Sequence, residues 1–133
     1  MAWTKTTVHR NDGYYLVATE TLTVASSDLA GQDLTSSEID FIPPGKDFVI
    51  ISNYDSTDLS SEADVAVKVG YETGGTFVTL KDDLIQSIDA TVKAALYDIS
   101  SYGEAPYYKI FIDSDGVQKK NDTVDIIVVV PIE

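Results

Sequence analysis

The chain has 133 residues, 44% of them hydrophobic, with 22 acidic against nine basic side chains and a formal charge of −13. A surface this acidic repels phosphate backbones and anionic headgroups, because binding either depends on Lys and Arg displacing counterions; nucleic acid and membrane are disfavoured as partners. The length suits one domain with one core, and the absence of Cys leaves packing and association, not disulfides or thiolate-bound metal, to hold it together.

Residues 1–13 are polar and close on Asn11-Asp12-Gly13, a turn signal, so they read as an N-terminal arm or edge strand ahead of a single domain over 14–133. No apolar run of signal-peptide length opens the chain and none approaches the roughly 18 residues of a spanning helix, so a soluble protein made in a cytoplasm is expected. From residue 14 to 25 a period of two sets in, with Leu16, Ala18, Leu22 and Val24 on one side and Thr19, Thr21 and Thr23 on the other. Residues 26–38 have the composition of a long loop, and 39–42 form a short strand that Pro43-Pro44-Gly45 stops. A compact strand over 48–52 and a polar loop over 53–62 follow. Val65, Val67, Val69 and Tyr71 then alternate with Ala66, Lys68, Gly70 and Glu72 as a strand buried on one face. Gly74-Gly75 marks a hairpin into a strand over 77–80.

Residues 81–101 support two readings. Leu84, Ile85, Ile88, Val92, Ala95, Leu96 and Ile99 fit helical spacing, with Asp82-Asp83 suited to its start and Gly103 to its stop; Val92, Ala94 and Leu96 fit alternation equally. The β-rich flanks favour a loop followed by a strand over 91–98. Residues 107–113 alternate again, residues 113–116 turn the chain, and 123–130 close it with six Val and Ile residues, a strand buried on at least one face. Seven to nine short strands with turn signals between them give an all-β fold: an antiparallel β-sandwich, jelly-roll-like, with at most one short helix.

No catalytic constellation assembles, and the chain reads as a non-enzyme without cofactor. The single His9 lies in the polar arm, where it would make a poorly anchored general base, and one His without Cys cannot supply a zinc or copper site. Asp113, Asp115 and Asp122 surround Gly116, but the following Val117, Gln118, Lys119 and Lys120 lack the Glu of a calcium loop, so the segment reads as a turn. Asp82-Asp83 and Glu62 with Asp64 are pairs that any chain this acidic contains. The tyrosines carry more information. Neighbouring strand residues face opposite ways, so Tyr14-Tyr15 and Tyr107-Tyr108 each send one ring inward and one outward, where a ring stacks on a sugar or anchors a protein interface.

The stretch Leu96-Tyr-Asp-Ile-Ser-Ser-Tyr-Gly-Glu-Ala-Pro-Tyr-Tyr-Lys109, continuing to Asp113, together with the closing Ile-Val-Val-Val strand, resembles the head decoration, or cement, proteins of tailed bacteriophages. The resemblance implies a β-sandwich on the outer surface of an icosahedral virion, made in the host cytoplasm. It would bind the major capsid protein and itself, as a homo-oligomer and typically a homotrimer, and brace the shell against packaged DNA. No binding residue of that family maps onto this chain by position. The arm supplies the candidate interface residues Trp3, Val8 and Tyr14, because an aromatic-bearing segment ahead of the first firm strand can order on a neighbour. The alternative is a carbohydrate-binding sandwich that uses outward Tyr rings and loop carboxylates.

Overall fold

The computed structural model describes residues 2–4, 10–11, 15–23, 29–30, 34–40, 42–55, 62–115, 117–118 and 122–131, with side chains described for 15–23, 35–40, 42–55, 63–113 and 122–131. The strands are β1 (Ala2–Thr4), β2 (Arg10–Asn11), β3 (Tyr15–Thr23), β4 (Leu29–Ala30), β5 (Leu34–Thr35), β6 (Phe48–Asp55), β7 (Glu62–Gly70), β8 (Val78–Ile88), β9 (Lys93–Tyr97), β10 (Tyr107–Asp115), β11 (Val117–Gln118) and β12 (Thr123–Pro131). One short helix, α1 (Ile99–Tyr102), stands between β9 and β10.

Two antiparallel sheets form the body. The first runs β1-β3-β12-β6-β9, with β2 also on β3; the second runs β5-β10-β7-β8; β4 and β11 pair separately. Numbering the main strands β3, β5–β10 and β12 from first to eighth, the layers read 1-8-3-6 and 2-7-4-5. The chain therefore passes from layer to layer at nearly every connection and stays in one layer only for the β7–β8 hairpin. Two Greek keys wound together in this way make a jelly roll, so the expected all-β sandwich is the fold.

Period-two alternation builds the core between the layers. Leu22, Phe48, Ile50, Tyr54, Tyr97 and the even residues of β12 from Val124 to Val130 come from the first sheet; Ala63, Val65, Val67, Ile85, Ile88, Tyr108, Ile110 and Ile112 come from the second. At one end the core is aromatic: the Phe48 ring stacks on Tyr97 at 4.9 Å and meets the edge of Tyr108 at 5.0 Å. The 107–108 pair divides as alternation requires, with Tyr108 buried and Tyr107 partly exposed.

Several boundaries depart from the sequence reading. Of the strand expected over 39–42, the described residues 39, 40 and 42 form none; Ile39 makes a single bridge to Tyr108. The expected long loop over 26–38 carries the two-residue strands β4 and β5. The strand expected over 48–52 continues to Asp55, and residues 113–115 of the expected turn belong to β10, which runs to Asp115.

The largest correction is β8. Residues 81–88 are neither loop nor helix but a continuation of the hairpin strand, whose register against β7 shifts three times. Asp83 and Ser87 adopt positive φ there, at 48° and 53°. Each irregularity displaces the alternation, so buried Ile85 and Ile88 fall three residues apart and imitate a helical period. The strand expected over 91–98 exists as β9. The helix that does form is one turn long, capped by Asp98, whose Oδ1 accepts the Ser100 N–H at 3.0 Å and its hydroxyl at 2.7 Å.

Candidate binding faces

The outward side of the first sheet carries two rungs that are uncharged across β9, β6, β12 and β3; at the end of one, Arg10 of β2 is in register with Val17. Leu96, Val49, Val129 and Val17 stand opposite one another across four strands, and Ala94, Ile51, Ile127 and Thr19 form the next rung. Alternation places them outward because their strand neighbours Phe48, Ile50, Val128 and Val130 fill the core. Leu96 is 51% exposed, and Tyr15, opposite Pro131 at the margin, 45%. Toward the other end the same face turns polar, where Thr21 donates to Asp125 at 2.7 Å. The apolar half occupies the middle of an otherwise strongly acidic protein.

The outward side of the second sheet is charged instead. Lys68 lies opposite Lys109, Ala66 opposite Phe111 and Asp64 opposite Asp113. The Lys68 ammonium sits 4.3 Å from the Phe111 ring centroid and that of Lys109 4.5 Å from Phe77, a favourable placement of cations on aromatic faces.

A third feature is a groove where the connections 36–47, 71–77 and 98–106 meet at one end of the sandwich. Backbone N–H groups donating to carboxylates tie these segments together: Gly74 N to Glu38 Oε1 at 2.8 Å, Gly45 N to Glu104 Oε1, and Ile99 N to Asp47 Oδ1 at 3.0 Å. Tyr97 O–H reaches the Gly103 carbonyl at 2.6 Å, and Ala105 N–H donates to the Tyr108 hydroxyl at 3.0 Å. The groove, about 320 Å³, has Val69, Val78, Ala105 and Pro106 in its walls, with Tyr71, Thr76 and Glu104 alongside. Tyr71 is 75% exposed.

The titrations that depart from ordinary values have plain causes. Burial, and then Tyr108 alongside, push the Tyr97 phenol up to about 12. Burial likewise raises Tyr108. Bonds from Ser100 and Ser101 hold Asp98 low, and the Thr91 N–H does the same for Asp89. Asp83 is raised by desolvation and by its neighbours Asp82 and Asp64.

Of the residues singled out in sequence, Trp3 lies in β1 in register with Leu22 on the β3 edge, while Val8 and Tyr14 fall outside the described residues. The outward rungs of Val49, Ile51, Ile127 and Val129 were not singled out, although the unbroken β-branched run of β12 was a signal that both its faces are apolar. Among the described residues no group of three or more His, Cys, Asp or Glu side chains could hold a metal. Nor is any helix among them long and apolar enough to cross a membrane. No family model matches the chain, and no curated protein matches its sequence.

Proposed function

We propose that this protein is a non-enzymatic structural protein of a virion, a decoration protein that binds the outer surface of the capsid shell and stabilises it. The observation that carries the reading is the pair of rungs on the first sheet that carry no charge across β9, β6, β12 and β3. A partner covering Leu96, Val49, Val129, Ile51 and Ile127 removes apolar area from water at about 25 cal/mol per Å² without desolvating a charge. The remaining acidic surface discourages indiscriminate association of the chain. The jelly roll is compatible with this role and with others, so the fold adds little weight of its own. Many copies on one shell reinforce it even when each contact is weak.

The test is co-sedimentation with expanded capsids that lack the protein, followed by thermal disruption of the loaded shells. Binding that raises the disruption temperature, and that Ile51→Lys or Val129→Lys abolishes while the variant stays folded, is the expected result. Wild-type protein that ignores capsids at every concentration refutes the reading.

A second reading, a carbohydrate-binding module, draws on one specific observation: exposed Tyr71 beside the apolar groove offers a ring on which a pyranose can stack. A glycan that raises the melting point of the wild type but not of Tyr71→Ala would favour it.

A further inference from the structure

Like charges face like charges on the outward side of the second sheet. Lys68 is in register with Lys109 and Asp64 with Asp113, and the Ala66–Phe111 rung lies midway between them. Directly opposed like charges destabilise a sheet. The chain has 22 acids, yet the two ammonium groups rest on Phe111 and Phe77 rings rather than on carboxylates. On the acidic side Asp64 also accepts the Ser87 N–H of β8 at 2.8 Å, and desolvation, then Asp82 and Asp64, disfavour the charged form of Asp83.

We propose that this face is the two-fold interface of a homodimer, in which the lysine rung of each copy lies over the aspartate rung of the other. The two rungs are two residues from the Ala66–Phe111 rung on either side, about 6.6 Å each way at the rise of a strand. A two-fold axis parallel to the sheet, running across the strands above that central rung, superimposes the pattern on its complement. Lys109 then faces Asp113 of the second copy, Lys68 faces Asp64, and Phe111 meets Phe111 on the axis. An isologous contact requires such self-complementarity. The three long strands β7, β8 and β10, about 4.8 Å apart and roughly 27 Å long, give a face of about 390 Å² per copy, the size of a weak contact and not of a permanent one. The dimer is accordingly expected to form in the micromolar range and to weaken with salt. It leaves the apolar rungs of the first sheet open for another partner, and it stands whether or not that partner is a capsid.

The experiment is light scattering on the full chain, in about 0.1 M and 1 M salt, where the screening length falls from about 10 Å to about 3 Å. Lys109→Glu and Asp113→Lys are measured separately and mixed. The wild type should show twice the 14.5 kDa chain mass at low salt and dissociate at high salt. Each variant alone should run as a monomer, because the substitution sets like charge against like charge at both symmetry-related contacts. The equimolar mixture should recover the dimer, since the carboxylate introduced at position 109 of one copy then faces the ammonium introduced at position 113 of the other. Circular dichroism checks folding, and if Asp113→Lys unfolds, Lys109→Glu and the salt arm decide the matter. A wild type that is monomeric or trimeric at about 100 µM overturns the proposal, since a contact weaker than that yields under about −5.5 kcal/mol of association. Two folded variants that remain dimeric alone, or that stay monomeric when mixed, overturn it equally.

Discussion

Two buried serines invite the same substitution and should answer it differently. Ser36 follows the end of β5, where its N–H donates to the Ile110 carbonyl at 2.8 Å and its hydroxyl accepts the Ile110 N–H at 2.7 Å. The side chain thus takes the place that a backbone carbonyl would hold if β5 continued. The same hydroxyl donates to the Ser37 carbonyl at 2.9 Å. Ser36 is 6% exposed and Ile110 fully buried, so Ser36→Ala leaves an N–H in the core with no acceptor. The deleted oxygen vacates less room than a water needs, about 30 Å³ in the liquid, so solvent cannot fill the role. An orphaned buried donor costs about 1–3 kcal/mol, and the absence of a replacement puts the expected loss in the upper half of that range.

Ser52, equally buried, only donates, from its hydroxyl to the Asp125 carbonyl at 2.7 Å. Ser52→Ala removes a donor and leaves an under-satisfied carbonyl, which interiors tolerate better, so about 0.5–1 kcal/mol is expected. Urea unfolding measures both. At a slope of about 2 kcal/mol per M, Ser36→Ala should lower the midpoint by about 1 M and Ser52→Ala by less than half of that, with slopes unchanged. Hydrogen exchange at the Ile110 amide should accelerate only in Ser36→Ala. Equal midpoints for the two variants, or a loss below about 0.5 kcal/mol at Ser36, would refute the reasoning.

Three further outcomes follow from single contacts. Tyr97 titrates near 12 in the fold against about 10 in the unfolded chain. Its contribution is therefore intact below pH 10 and lost as pH rises from 10 to 12; urea midpoints at pH 9 and 11 should differ less in Tyr97→Phe than in wild type. A Cβ on Gly70 would lie 2.9 Å from the Phe77 ring, so Gly70→Ala should destabilise by about 1 kcal/mol. In a Phe77→Ala background the same change should become neutral or stabilising, since Gly costs a strand about 0.5–1 kcal/mol. Asp98, held low by its serine partners, should lose its cap as pH falls below the ordinary carboxylate range; exchange at the Ser100 amide should rise there in wild type but hardly change in Asp98→Ala.

The sandwich was legible because most of its strands bury one face cleanly. Val65, Val67 and Val69 share the inward face of β7, and Tyr107 and Tyr108 divide between surface and core. Where bulges intervene the period fails, and β8 read as loop or helix because Asp83 and Ser87 reset its phase. Alternation also cannot say which apolar face meets the core when both are apolar, so nothing in the 48–52 run set Val49 and Ile51 apart as outward residues. The charged rungs were hidden for another reason. Lys68 and Lys109 are remote in sequence, and only the β7–β10 register makes them neighbours.

The position of β12 has a consequence for how this protein is made. It follows every other described element in the chain, yet it lies between β3 and β6 in the middle of the first sheet, and one of its bonds, from Thr21 to Asp125, spans 104 residues. Until that segment leaves the ribosome, β3 and β6 lack their shared neighbour and each offers an open flank to other nascent chains. Closure must wait for an encounter between distant segments, a slow kind of step. Yield in a heterologous host should thus depend on temperature and chaperone supply more than on the stability of the finished molecule.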